Sequence, residues 1–120
     1  MRALLLAVLI GFGCNTPSVP IPPPLVSALK FQNAPTAGEV VIAGVPTLQH
    51  ADVRFYVFNT TNGEGVIVTA AHDGSFSSDP FPGSDGDLVD LYYDTQAGDR
   101  SGDACVTLRI GATLFTTLCQ

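Results

Sequence analysis

The residues best equipped for chemistry are three cysteines, two histidines and a crowd of aspartates, and their spacing separates very different uses. His72, Asp73 and Ser75 stand within four consecutive positions and are the side-chain types of a nucleophilic triad. Neighbours in a strand–turn segment rarely point at one another, so the order of types alone does not build one. His50 and His72 also lack the close spacing of paired metal ligands. The sequence holds no G-x-S-x-G elbow, phosphate-binding loop or dinucleotide fingerprint. The chain therefore reads as a non-enzyme, with a hydrolase as the remaining catalytic alternative.

The carboxylates offer a second chemistry. Eight of the 11 acidic residues are aspartates between Asp73 and Asp103, opposed in that stretch by Arg100 alone. Formal net charge is −6, and it becomes −7 once Arg2 is removed with a leader, leaving four basic against 11 acidic residues. Such a surface repels phosphates and excludes nucleic acid as a partner. Asp79, Asp85, Asp87 and Asp90 could gather on one loop to hold Ca²⁺, which takes hard oxygen ligands. Their spacing does not match the D-x-[DN]-x-[DN]-G loop, and each sits where an aspartate also caps a turn. A small calcium-dependent adhesion module is the alternative this leaves open. No other cofactor is expected.

These residues must be positioned by short strands. Of 120 residues, 46% are apolar and 13% charged, which argues for a packed core, while 12 Gly and 9 Pro supply frequent breaks. Strands are expected at Leu25–Phe31, Gly38–Val45 and in DVRFYVFNTT, where Val53, Phe55 and Val57 alternate with Arg54, Tyr56 and Phe58. Asn62-Gly63 marks a hairpin, because both residues tolerate positive φ, and GVIVTAAH returns as its partner. DGSFS gives a turn and strand, DPFPGSDGD a long loop, and DLVDLYYD a strand with Val89, Leu91 and Tyr93 on one face. No segment carries a sustained helical period, so the class is all-β. Tyr56, Phe58 and Tyr92 discriminate between readings: a cluster of them on an exposed face would mark a binding surface, and packing inside would leave the surface bland.

The last two runs, DACVTLRI and TLFTTLC, flank Gly111-Ala112 and read as a closing hairpin. A two-residue turn would put Cys105 and Cys119 on opposite faces, whereas a three-residue loop or a bulge places them opposite one another. Opposed side chains lie about 4.5–5.5 Å apart at Cβ, close enough for a disulfide. Pairing these two leaves Cys14 over.

The N-terminus has the build of a cleavable leader: Met1-Arg2 supplies the positive end and Ala3–Ile10 the apolar run. Through Gly13 that run spans roughly 16 Å as a helix, at about 1.5 Å per residue, against a hydrocarbon core of about 30 Å. Export follows, and with it an oxidising compartment in which a disulfide persists. Asn15–Pro24 then holds five prolines and no charge, the composition of an extended spacer.

The short leader ending in Gly13-Cys14 resembles the lipobox of bacterial lipoproteins, although Gly11 and Phe12 differ from the usual Leu and small residue. The resemblance implies acylation of Cys14, a membrane partner through that anchor, and residence in the bacterial cell envelope. Asn15 in place of an aspartate implies the outer membrane over the inner one. Farther on, GEVVIAGVP, ADVRFYVFNTTNGEGVIVTA and HDGSFSSDPFPGSDGDLVDLYYDTQAGDRS resemble a bacterial immunoglobulin-like domain. The matching motifs are Asn59–Gly63, Asp73–Ser77 and Gly86-Asp87 before Leu88, and carboxypeptidase regulatory-like domains share much of this pattern. The implied organisation is a signal peptide over 1–13, a lipidated cysteine and Pro-rich spacer over 14–24, and a single Ig-like antiparallel β-sandwich of about seven short strands over 25–120. The implied role is binding, display or structural support toward a protein or glycan.

Overall fold

The computed structural model describes residues 20–119; the leader, Cys14 and the first part of the spacer lie outside the described residues. The fold is an all-β sandwich of two antiparallel sheets. Its nine strands are β1 (Leu29–Asn33), β2 (Glu39–Gly44), β3 (Arg54–Asn59), β4 (Glu64–Thr69), β5 (Phe76–Ser77), β6 (Phe81–Pro82), β7 (Leu88–Asp94), β8 (Ala104–Thr107) and β9 (Thr116–Thr117). One sheet runs β1-β2-β5, with β6 also pairing β2; the other runs β4-β3-β7-β8-β9. With β5 and β6 taken as one interrupted strand, the chain crosses between the sheets three times and places three strands in one sheet and five in the other.

Alternation in the sequence decides which side chains meet in the middle. Phe55 and Val57 on β3, and Val89, Leu91 and Tyr93 on β7, are buried against Phe31, Val40 and Ile42 of the opposite sheet. Each fully buried side chain of this size contributes about 1.5–3 kcal/mol. Period 2 then sends Tyr56, Phe58, Asp90 and Tyr92 to the outer face.

Three expectations need correction. Leu25–Ala28 is not strand: Ala28 N–H closes on Leu25 O at 3.0 Å in a 3-10 turn over Val26–Ala28, and β1 starts at Leu29. The stretch expected as a plain loop contains β6, because Phe81 is buried and packs edge-on to Phe31 with centroids 6.4 Å apart. The closing hairpin is not tight either. Cys105 pairs in register with Thr117 and Val106 with Thr116, so the chain from Leu108 to Phe115 forms a long excursion. Its buried Leu108 and Leu114 enter the core, and Gly111 N–H reaches Phe31 O of the other sheet at 2.8 Å. Burial of those leucines outweighs a tight turn at Gly111-Ala112. Cys105 and Cys119 are nevertheless bonded, with Cα atoms 5.2 Å apart. A flat diagonal pair would sit about 7–8 Å apart, so the chain bends toward β8 after Thr117.

The end of the proline segment is part of the fold. Gly102 N–H donates to Ile21 O at 3.1 Å, Tyr93 O–H to Pro22 O at 2.9 Å and Gln49 Nε2 to Pro23 O at 2.8 Å. Pro24 is buried, and Leu25 N–H donates to Nε2 of the fully buried His50 at 3.0 Å. Residues 21–24, read from the sequence as part of the spacer, thus pack against the sandwich.

Candidate functional site

The outer face of the five-stranded sheet is an ordered grid set by register. One row across the strands reads Ile67, Tyr56, Tyr92; the next reads Gly65, Phe58, Asp90, Cys105, Thr117. Tyr56 and Tyr92 stack at 4.7 Å with their planes 11° apart, and the Arg100 guanidinium lies 3.8 Å from the centre of the Tyr92 ring. Arg100 is fixed there by its bond to Asp103 at 3.0 Å. Beside this row lies a groove of about 710 Å³ lined by Tyr56, Phe58, Gly65, Ile67, Asp90 and Tyr92. Phe58 on the inner strand β3 is 45% exposed, and Ile67 is 61% exposed on the edge strand β4, where apolar side chains are usually avoided.

All three aromatic residues singled out from the sequence therefore meet in one open groove. Gly65 and Ile67 complete it and Arg100 caps Tyr92 beside it; all three were missed. A glycine inside a strand pattern is the available signal for Gly65, since it marks a close backbone approach. A Cβ at Gly65 would run into the Val57 carbonyl oxygen, and its absence leaves the Phe58 ring uncovered. Asp90 at the groove's end has its carboxyl pKa pushed upward. Desolvation, and then the neighbouring carboxylate of Asp103 as hydrogen-bond partner and charge, raise it to about 6, while Arg100 pulls it down. Its Oδ1 is covered and without a hydrogen-bond partner.

The four aspartates weighed as a calcium site are engaged separately. Asp85 Oδ1 accepts from Ile110 N–H at 2.8 Å, and Asp87 Oδ2 accepts from Asn59 Nδ2 at 2.8 Å and Ser84 N–H at 2.9 Å. Asp79 is exposed at the start of β6's loop and Asp90 stands on the sheet face. Among the described residues, the one close-set group of His, Cys, Asp and Glu ligand atoms is Asp90 with the two bonded cysteines, whose sulfurs already hold each other.

His72, Asp73 and Ser75 do not assemble as a triad. Asp73 Oδ1 accepts from Ser75 N–H at 2.9 Å and from Ser75 Oγ at 2.7 Å, and these bonds hold its carboxyl below the usual range. His72 points away to Asp52 at 2.8 Å, with its side chain 97% exposed. His50 is instead a core residue, edge-on to Phe55 at 4.8 Å and to Tyr93 at 5.8 Å, and burial lowers its pKa. Compared with protein-family models, with curated proteins and with solved structures, the chain finds no match in any of the three.

Proposed function

We propose that this chain is a lipid-anchored protein of the bacterial cell envelope whose sandwich binds a protein or glycan partner through the outer face of its five-stranded sheet, without catalysis. The gathering of Tyr56, Phe58, Tyr92 and Ile67 in one exposed groove carries the reading. Stacked tyrosines give rigid area with hydroxyl handles, the mix that suits recognition of partly polar, partly apolar surfaces. Acylation of Cys14 would tether this face to the outer membrane within the cell envelope.

The two halves are tested separately. The mass of the N-terminal peptide from membranes reports whether Cys14 carries acyl chains; an unmodified, soluble mature form overturns the anchor. For the groove, the chain has three tyrosines and no tryptophan, so tyrosine fluorescence reads ligand arrival directly. Panels of oligosaccharides and peptides are titrated against the wild type and Phe58→Ser. A ligand weakened about tenfold or more in a variant of unchanged Tm supports the reading, since loss of a central anchor costs about 1–2 kcal/mol or more. Ligands bound equally by both forms overturn it.

A further inference from the structure

Asp90 also faces a different chemistry on its other side. It lies directly opposite Cys105 across the β7–β8 ladder, and a carboxylate oxygen of Asp90 and both sulfurs of the Cys105–Cys119 bond lie within 4.8 Å of one another. Oδ1 of Asp90 is covered and has no donor. A buried acceptor left without a donor is costly, and a disulfide has no proton to offer. Two thiols do, because S–H donates, so the reduced pair supplies what the oxidised pair withholds. Access is asymmetric as well. Cys119 is exposed, as are Thr116, Thr117 and Leu118 around it, whereas Cys105 is half-buried beside Asp90.

We propose that Cys105–Cys119 is a redox-active disulfide that exchanges with a dithiol protein, and that Asp90 is the proton-transfer group for Cys105. The thiolate of the partner attacks the exposed Sγ of Cys119, the Cys119–Cys105 bond breaks, and its electron pair leaves on Cys105. The protonated Asp90 gives its proton to that thiolate. The partner's second thiol, once deprotonated, attacks its own sulfur in the mixed disulfide and releases Cys119, which takes a proton from solvent. The protein disulfide gains two electrons and two protons, and the dithiol becomes a disulfide. In the opposite direction the Asp90 carboxylate removes the Cys105 proton. A placed acid–base group of this kind acts best with its pKa near working pH, where Asp90 is held. The other groups that bear on it are Asp103 and Arg100 before β8, and Tyr56 and Tyr92 in the groove; β9 brings only Thr117.

The test is the rate of reduction of the folded protein by dithiothreitol across pH 5 to 8, corrected for the thiolate fraction of the reagent. The wild-type rate constant is expected to fall about tenfold, a modest share of what a positioned general acid supplies, with an inflection near 6. Asp90→Asn is expected to be slow and flat, and Asp103→Asn to move the inflection to lower pH. The second variant carries the test if the first fails to fold. Superimposable profiles for all three proteins overturn the proposal. So does a rate independent of dithiothreitol concentration, which means that the bond is reached only by unfolding.

Discussion

Folding pushes two titratable side chains in opposite directions, and each leaves its own mark on stability. Asp90 is raised from 3.8 to about 6, so between those values the folded chain holds more protons than the unfolded one. Stability from this group is complete below about 3.8, falls as pH rises to about 6, and stays lower above. Asp90→Asn removes the ionisation, and its Tm is expected to exceed the wild type's at about pH 7.5 and to converge on it near pH 4, as read by circular dichroism. His50 behaves in reverse. Burial lowers it from 6.5, so its contribution is complete above 6.5 and is lost as pH falls through the folded value. His50→Phe would fill the same space but strand Leu25 N–H, which donates to the imidazole. A cost of about 1–3 kcal/mol is expected in urea melts at neutral pH, with a shallower loss of Tm on acidification. An unchanged midpoint would show that the Leu25 bond is replaced by water at no cost.

Turns and edges determine how the strands are held in place, and one glycine shows why a turn motif is more than local. Gly74 has φ +92, and a Cβ there would overlap the Thr47 carbonyl, so the Asp73–Ser75 turn is seated on the loop that carries His50. Gly63 has φ +78 in the β3–β4 turn, with open space around it. Gly63→Ala is expected to cost only the left-handed penalty, about 1–2 kcal/mol, and Gly74→Ala distinctly more. Equal urea midpoints would refute the seating. The difference between these turns tracks what sequence can convey. Alternation in Val53, Phe55, Val57 and in Val89, Leu91, Tyr93 was legible because period 2 is a local property that the core respects. Asn62-Gly63 was legible for the same reason. The closing hairpin was not, since Leu108, Ile110 and Leu114 answer to Phe31 and the far sheet, which no local spacing reveals. The groove lies between these cases. Its aromatic residues follow from face assignment, while its depth needs the register that sets Gly65 beside Phe58.

At the scale of the molecule, the groove and the N-terminal segment are joined through adjacent residues of one strand. Tyr93 faces inward and its hydroxyl holds Pro22 O, while Tyr92 faces outward and stacks on Tyr56 beneath Arg100. Gly102, two residues beyond Arg100, holds Ile21 O. Load carried by the proposed tether at Cys14 would therefore enter the sandwich next to the aromatic groove. The segment 20–24 is then a structural part of the domain, and its removal has a measurable cost. A chain beginning at Leu25 forfeits the bonds from Gly102, Tyr93 and Gln49, and leaves the Tyr93 hydroxyl without its acceptor. At about 1 kcal/mol per bond, with more for the stranded hydroxyl, the loss should reach roughly 3–5 kcal/mol relative to a chain beginning at Pro20. Urea midpoints of the two chains measure it, and Tyr93→Phe in the longer chain isolates the Pro22 bond. Equal stability of the two chains would return residues 20–24 to the role of a passive spacer. A large loss instead assigns residues 20–24 to the folded domain, so that they add nothing to the stand-off a ten-residue spacer at about 3.1 Å per residue would give the proposed anchor.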